Sequence, residues 1–446
     1  MILQFAKKSG LILSLLSFAV LESGAQTHSG VLSLEQVIRM GSDSSKSLRI
    51  SESKLKIAEA KYHQTVDGTL PAVKLSAGYT RLSDIDPPKF LFPGASEPVS
   101  LFPVYVNNYS ASLTVSETIF SGFRLKYAKA SQDLLRKAAA LDYGKDREEV
   151  KMNLINAYFN LYKLQASKNV LNENLQQIRE RIRETELAEK NGLATKNDVL
   201  RWQLQESNLE LSQLDLQNSI DVANYSMNLL LGFDGNTIID IDTNVVESKL
   251  SVKSLDDYMN AAAKGRSDLL AAQTRADASY NNYRVAKNSY MPKIGVQGEF
   301  LDANPNSRYI PPVDKFNATW AAGITLTWDL MNIYSNRHNV DEYSALLTQS
   351  KEGVSMMSDN IKLEVNQAYL GYSEAQKKIQ VMEKAVAQAT ENFRLTDSRY
   401  RNSLVVLSEL LDANTILLQQ KINLALAKAD THLAYYRLLK STGKIN

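Results

Sequence analysis

Cysteine is absent from all 446 residues, which excludes disulfides, thiolate metal sites, catalytic thiols and a lipid-bearing N-terminal cysteine at once. Histidine is scarce: His28, His63, His338 and His432 lie far apart without ligand spacing, so no metal site is expected. An excess of one charge is also missing. Against 49 acidic residues stand 51 basic ones, a net charge of +2, and no nucleic-acid partner is indicated. Beyond the first 25 residues, no apolar run is long enough for a transmembrane helix. If the chain sits in a membrane, it must do so as strands. No Ser-His-Asp order and no phosphate-cradling glycine loop is found, so neither an enzyme nor a bound cofactor is expected.

What is present begins with "MILQFAKKSGLILSLLSFAVLESGAQ". Two lysines, an apolar run from Leu11 to Val20 and the small residues Ser23-Gly24-Ala25 read as a secretory signal peptide, 1–25. A membrane anchor is the alternative, but the run is too short to cross ~30 Å of hydrocarbon. The ten prolines fall in two windows, Pro71 to Pro103 and Pro292 to Pro312. Because proline breaks helices, the stretches outside these windows are free to form very long ones, and Leu, Ala, Glu, Lys and Gln fill them.

Periodicity gives the kind of helix. Ile361, Val365, Ala368, Tyr372, Ala375, Ile379, Met382, Val386, Ala389 and Phe393 follow one another at alternating four- and three-residue steps. Val150, Leu154, Ala157, Leu161, Leu164, Lys168, Leu171, Leu175, Ile178 and Ile182 do the same, with Lys168 out of character. A seven-residue repeat predicts left-handed coiled-coil packing, and a helix from Arg124 to Lys190 would be ~100 Å long. The proline windows instead carry period two. Val73, Leu75, Ala77 and Tyr79 alternate with polar or small residues, as do Tyr109, Ala111, Leu113 and Val115, then Ile294, Val296 and Phe300, then Trp320, Ala322, Ile324, Leu326 and Trp328. Each window reads as a β-hairpin with one apolar face.

The chain is also duplicated. "NAYFNLY" at Asn156 aligns with "QAYLGYS" at Gln367, and Asn191, Asp198 and Gly232 align with Asn402, Glu409 and Gly443, all 211 positions apart. Ahead of the hairpins the offset is 221, from "SLEQVI" at Ser33 to "SLDDYM" at Ser254, so the difference falls in the loop between the strands. Insertions collect in solvent-exposed loops. The predicted order is a first repeat, 26–232, with strands near 70–82 and 107–118, a long helix near 123–190, a turn at 191–197 and a returning helix near 198–231. A linking segment covers 233–253. The second repeat, 254–446, has strands near 292–302 and 317–329, a long helix near 334–401, a turn at 402–408 and a returning helix near 409–441. Asn191-Gly192 supplies the positive φ that ends the first long helix, and Asp198 suits the start of the next.

Four strands cannot close a barrel, and an open edge in lipid leaves backbone groups unsatisfied. The fold class expected is therefore mainly α with a transmembrane β portion: three chains with four strands each close a twelve-strand barrel that continues into a coiled-coil α-barrel. Val73, Leu75, Tyr79, Leu113, Val115, Ile294, Val296, Phe300, Trp320, Ile324, Leu326 and Trp328 would then face lipid, the two tryptophans marking its interfaces. A soluble sandwich hairpin is the alternative.

The order "SLEQVI", "TLPAV", "TIFSGFR", "NAYFNLY" and "NGLATKNDVL", in tandem halves behind a signal peptide, resembles the TolC-type outer-membrane efflux family from about Leu32 to Gly443. The resemblance implies a homotrimer in outer-membrane lipid that extends into the periplasm, with 233–253 in an equatorial belt. It also implies passive conduction from a periplasmic adaptor and an inner-membrane transporter, in efflux or type I secretion. By position, the tip turns that contact the adaptor fall on Asn191, Gly192, Leu193, Ala194, Thr195 and Lys196, and on Asn402, Ser403, Leu404, Val405, Val406 and Leu407. The acids that narrow the periplasmic entrance fall on Glu409 and Asp412, with Asp198 and Tyr400 in the closing network. Two solvated acids favoured by a helix dipole are the alternative for Glu409 and Asp412. The sequence departs from the pattern at Val405, where well-known members carry Arg, and at Ser403, where they carry Gly. A secreted or periplasmic trimeric coiled-coil scaffold without a pore would share the heptads but would not need strands with an apolar face.

Overall fold

The computed structural model describes residues 31–84, 86–100, 103–242, 246–247 and 250–445; the expected signal peptide lies outside them. The first repeat runs α1 (Leu34–Ser44), α2 (Lys46–Asp67), β1 (Ala72–Arg81), β2 (Lys89–Phe90), β3 (Val99–Ser100), β4 (Asn107–Phe120), α3 (Arg124–Lys190) and α4 (Lys196–Leu231). The second runs α5 (Leu255–Gly265), α6 (Ser267–Lys287), β5 (Lys293–Asn304), β6 (Asn317–Thr327), α7 (Asn332–Ser335), α8 (Arg337–Arg401) and α9 (Leu407–Ser441).

Both repeats start at a reciprocal capping box, Ser33 with Gln36 and Ser254 with Asp257. The segment before each hairpin is two helices, not one. Ser45 and Arg266 interrupt it with extended backbone at matching positions, and the Ser45 hydroxyl caps α2 by accepting from Leu48 N. The second long helix starts at Arg337, after the one-turn α7; between them stands Asn336, whose side-chain amide donates to Ala286 O at 2.9 Å. Both returning helices start earlier than residue type alone predicts, at Lys196 and Leu407.

The sheet order is β1-β4-β5-β6, antiparallel throughout. Register puts the alternating residues on common faces, since directly opposed residues share a side. Val73, Leu75 and Tyr79 stand opposite Val115, Leu113 and Tyr109; Leu113 stands opposite Phe300; Phe300, Val296 and Ile294 stand opposite Trp320, Ile324 and Leu326. This apolar face is bare, with Leu75 76 % and Ile324 78 % exposed. The other face carries Lys74, Ser76, Ser112, Thr114, Ser116, Gln297, Glu299 and Thr319. Trp320 and Trp328, the latter one residue past the end of β6, are separated by ~26 Å along the chain at ~3.3 Å per residue.

The 67 residues of α3 form the spine. Its heptad residues Leu154, Leu161, Leu171, Leu175, Ile178 and Ile182 are buried. Lys168, the misfit, turns its amine to Gln217 on α4 at 2.6 Å. One core at mid-height joins α1, α3, α4 and α9 with Ile239 and Ile241. Here Leu32 bridges Ile241 and the Tyr158 hydroxyl donates to Asp242 O at 2.8 Å. A second core toward the turns joins α3, α4 and α9, and a third joins α5, α6, α8 and α9.

At every level the chain is a slab with two open edges. Nearest the sheet, α2 packs on α3, α3 on α6 and α6 on α8; farther away α4 packs on α3, α3 on α9 and α9 on α8. The edges are β1, α2 and α4 on one side and β6 and α8 on the other. Both edge helices show uncovered apolar residues in helical register: Leu204, Leu211, Leu214, Val222 and Leu229 on α4, and Met356, Leu363, Leu370 and Val381 on α8.

Candidate functional site at the helical tips

Each long helix ends in the same backbone device, built from different residues. After α3, Gly192 takes φ +70° and Leu193 N donates to Ala188 O at 2.8 Å. After α8, Ser403 takes φ +59° and Leu404 N donates to Arg399 O at 2.9 Å. A serine in the left-handed region costs on the order of 1 kcal/mol that glycine avoids. The starts of the returning helices differ as well. Thr195 caps α4, and the Asp198 carboxylate accepts from Thr195 N at 3.0 Å and from Thr195 Oγ1 at 2.7 Å. The matching cap of α9 is Val406, which offers no side-chain bond.

The two tips meet around an open cleft of about 710 Å³ whose walls include Asp198, Tyr400, Leu193, Val405 and Leu407. Asp198 and Tyr400 are thus brought together, with Val405 beside them. Glu409 and Asp412 are not part of this cleft. They sit exposed on the first turns of α9, with no hydrogen-bond or ion-pair partner among the described residues. Asp198 is only half exposed because it is committed to its cap.

The cleft also holds cations that sequence reasoning missed. Arg181 of α3 lines it, and its guanidinium pairs with Asp397 of α8 at 2.7 Å, with side-chain exposures of only 21 % and 17 %. Asp397 also pairs with Arg401 at 3.2 Å and Arg181 with Glu184 at 2.9 Å. Burial, and then the Asp198 carboxylate, push the Tyr400 phenol up, against a smaller downward pull from Arg181. Sequence spacing gave no signal for Arg181, which reads as one more charge beside a heptad position. Above the cleft, Asn174 of α3 and Asn414 of α9, both buried, exchange amide hydrogen bonds of 3.0 and 3.4 Å. Such a polar pair in an apolar seam fixes helix register. At the very end, Leu193, Leu404 and Val406 are 83 %, 71 % and 62 % exposed. Among the described residues no cluster of side chains could hold a metal ion.

The outer membrane efflux protein family model matches residues 37–233 and 258–444, and the chain belongs to that family. Among solved structures it is similar to the outer membrane protein VceC of Vibrio cholerae, at 18 % identity and TM-score 0.78 over 92 % of this chain and 96 % of that one. CusC, studied for transmembrane channel formation, gives 17 % identity and TM-score 0.79 over 92 % of each chain. The MtrE outer membrane channel of Neisseria gonorrhoeae, solved in an open state, gives 15 % identity and TM-score 0.75 over 92 % of this chain and 89 % of that one. Curated protein sequences gave no match. By family the protein is an outer membrane efflux protein, and CusC and MtrE among its structural neighbours are described as channels.

Proposed function

We propose that three copies close into one continuous tube, and that this tube is the passive exit duct of a tripartite efflux or secretion assembly. The observation that carries the reading is the pair of open edges. A four-stranded sheet with one bare apolar face is unstable in water and unsealed in lipid, because β1 and β6 each leave a row of unpaired backbone groups. Pairing β6 of one copy with β1 of the next satisfies these groups. The same rotation brings the exposed apolar stripe of α8 against that of α4 or α2. Twelve strands spaced ~4.8 Å apart and tilted ~40° give a backbone diameter of about 24 Å, so the polar face lines a water-filled lumen and Val73, Leu75, Leu113, Phe300, Ile324 and Leu326 face lipid.

The helical ends point into the periplasm, where Leu193, Leu404 and Val406 offer a periplasmic adaptor nine apolar contacts in a trimer, two in each chain being from the second repeat. Glu409 and Asp412, unpaired and exposed, ring the axis as a cation-attracting constriction. Arg181 with Asp397 holds α3 to α8 and keeps the tip shut. Energy comes from an inner-membrane transporter. The test uses the absence of cysteine: one cysteine at Val222 of α4 and one at Val381 of α8, exposed at matching heights on the two edges, oxidised in membranes, should give a ladder ending at three linked chains. Monomers only, or a ladder ending at two, rejects the closed trimer.

A further inference from the structure

The two loops at the far end of the sheet differ in how they meet its polar face. Between β1 and β4 the loop closes through Leu82 N to Val106 O at 2.7 Å and forms its own hairpin, β2–β3. The loop 305–316, between β5 and β6, turns back onto the polar face instead. Asn306 is fully buried there; its amide donates to Asn317 O at 2.7 Å and to Thr319 Oγ1 at 3.2 Å, and its oxygen accepts from Arg308 N at 2.9 Å. Arg308 then reaches farther along the face, with Nη1 donating to Thr319 Oγ1 at 3.1 Å and Nη2 to Glu299 at 2.6 Å. Glu299 and Thr319 are both on the polar side, since each alternates with a residue of the apolar face, Phe300 and Trp320.

We infer that loop 305–316 is an outer restriction of the duct and that Arg308 is the residue that sets the size of solute able to pass it. The inference rests on the reading of the polar face as the lumen wall. A chain layered on a sheet face lies up to ~10 Å from it, and the twelve-strand barrel has a backbone radius of only about 12 Å. Three inward loops, one for every four strands, therefore occupy most of the opening. Their hold is a handful of side-chain hydrogen bonds, and the Arg308–Glu299 pair keeps side-chain exposures of 35 % and 31 %. An anchor this wet is weak and screened by salt. The loop thus narrows the mouth at rest and can be lifted by a solute driven from below.

The experiment labels the lumen from outside, independently of the periplasmic tip. Gln297, exposed on the polar face below Glu299, is replaced by cysteine in the otherwise cysteine-free chain, and intact cells are treated with a small charged maleimide or a long polyethylene-glycol maleimide. With the loop anchored, the small reagent reacts and the long one reacts slowly. Arg308→Ala and, separately, Glu299→Gln speed the long reagent about tenfold, the effect of losing one or two side-chain hydrogen bonds, and leave the small one unchanged. Equal rates for the long reagent in all three backgrounds, with the small reagent still reacting, overturn the restriction and leave the duct standing. Failure of the small reagent at Gln297→Cys while Leu113→Cys on the other face reacts overturns the lumen assignment itself, and the restriction with it.

Discussion

Removing the Arg181 guanidinium is the sharpest perturbation of the tip. Arg181 and Asp397 tie the first long helix to the second at 2.7 Å with most of both side chains out of water. A fully exposed pair would contribute at most ~1 kcal/mol, and stranding a fully buried partner costs ~3–5 kcal/mol. At this burial Arg181→Ala should weaken the closed tip by about 2 kcal/mol, part of the loss being made up by Arg401, which also reaches Asp397. At 1.4 kcal/mol per factor of ten, the open-to-closed ratio rises about 30-fold per subunit. Single-channel recording of the purified assembly reads this as longer occupancy of the larger conductance. Asp397→Ala should act alike, and the double variant should do no more than either single one, because both remove one interaction. Glu184→Gln should change little, since that partner is largely exposed. Fully additive effects of the two variants, or unchanged conductance in an assembled Arg181→Ala channel, would refute the latch.

Other consequences follow from the same geometry. Neutralising Glu409 and Asp412 to Ala should raise conductance or relieve block by divalent cations in the isolated channel; no change in either removes them from the constriction. Thr195→Ala should lower the melting temperature by the equivalent of ~1 kcal/mol through loss of the capping box, whereas Val406→Thr supplies the missing cap of α9 and should raise it. His432 is buried against Phe159 and its Nε2–H donates to Val246 O at 3.0 Å; burial holds its pKa below the ordinary value, against a smaller upward pull from that bond. The neutral ring is thus favoured in the fold, and stability present above the unfolded value near 6.5 is lost as pH falls through the lower folded value. Thermal unfolding should show this loss below about pH 6.5, and His432→Phe should flatten it.

Much of the architecture was legible because it is periodic. Heptads at Leu154 through Ile182 and alternation at Val73 through Tyr79 each repeat over many residues, so the buried side is named several times over. Duplication supplied a second copy of every signal. Single-residue events escaped: the helix boundary at Asn336 falls where its side chain bonds Ala286 O of α6, and the matched interruptions at Ser45 and Arg266 involve residues that differ in every chemical respect. The site divided in the same way. Tip turns are local and were readable from Asn191-Gly192, whereas Arg181 meets Asp397 only because α3 and α8 are brought together by tertiary packing. Glu409 and Asp412 were readable as two acids on one face at the start of α9; that they lie outside the cleft of Asp198 and Tyr400 depends on tertiary packing. The fold of loop 305–316 onto the polar face depends on Asn306 finding Thr319, which no spacing rule encodes.

Imaging the detergent-purified protein by electron cryomicroscopy tests the closed tube most directly. Three chains around an axial hole, with β6 hydrogen-bonded to β1 of the neighbouring copy and α8 seated against the neighbour's α4, is the expected result. Particles with one copy, with β1 and β6 left unpaired, or with no passage along the axis would contradict it.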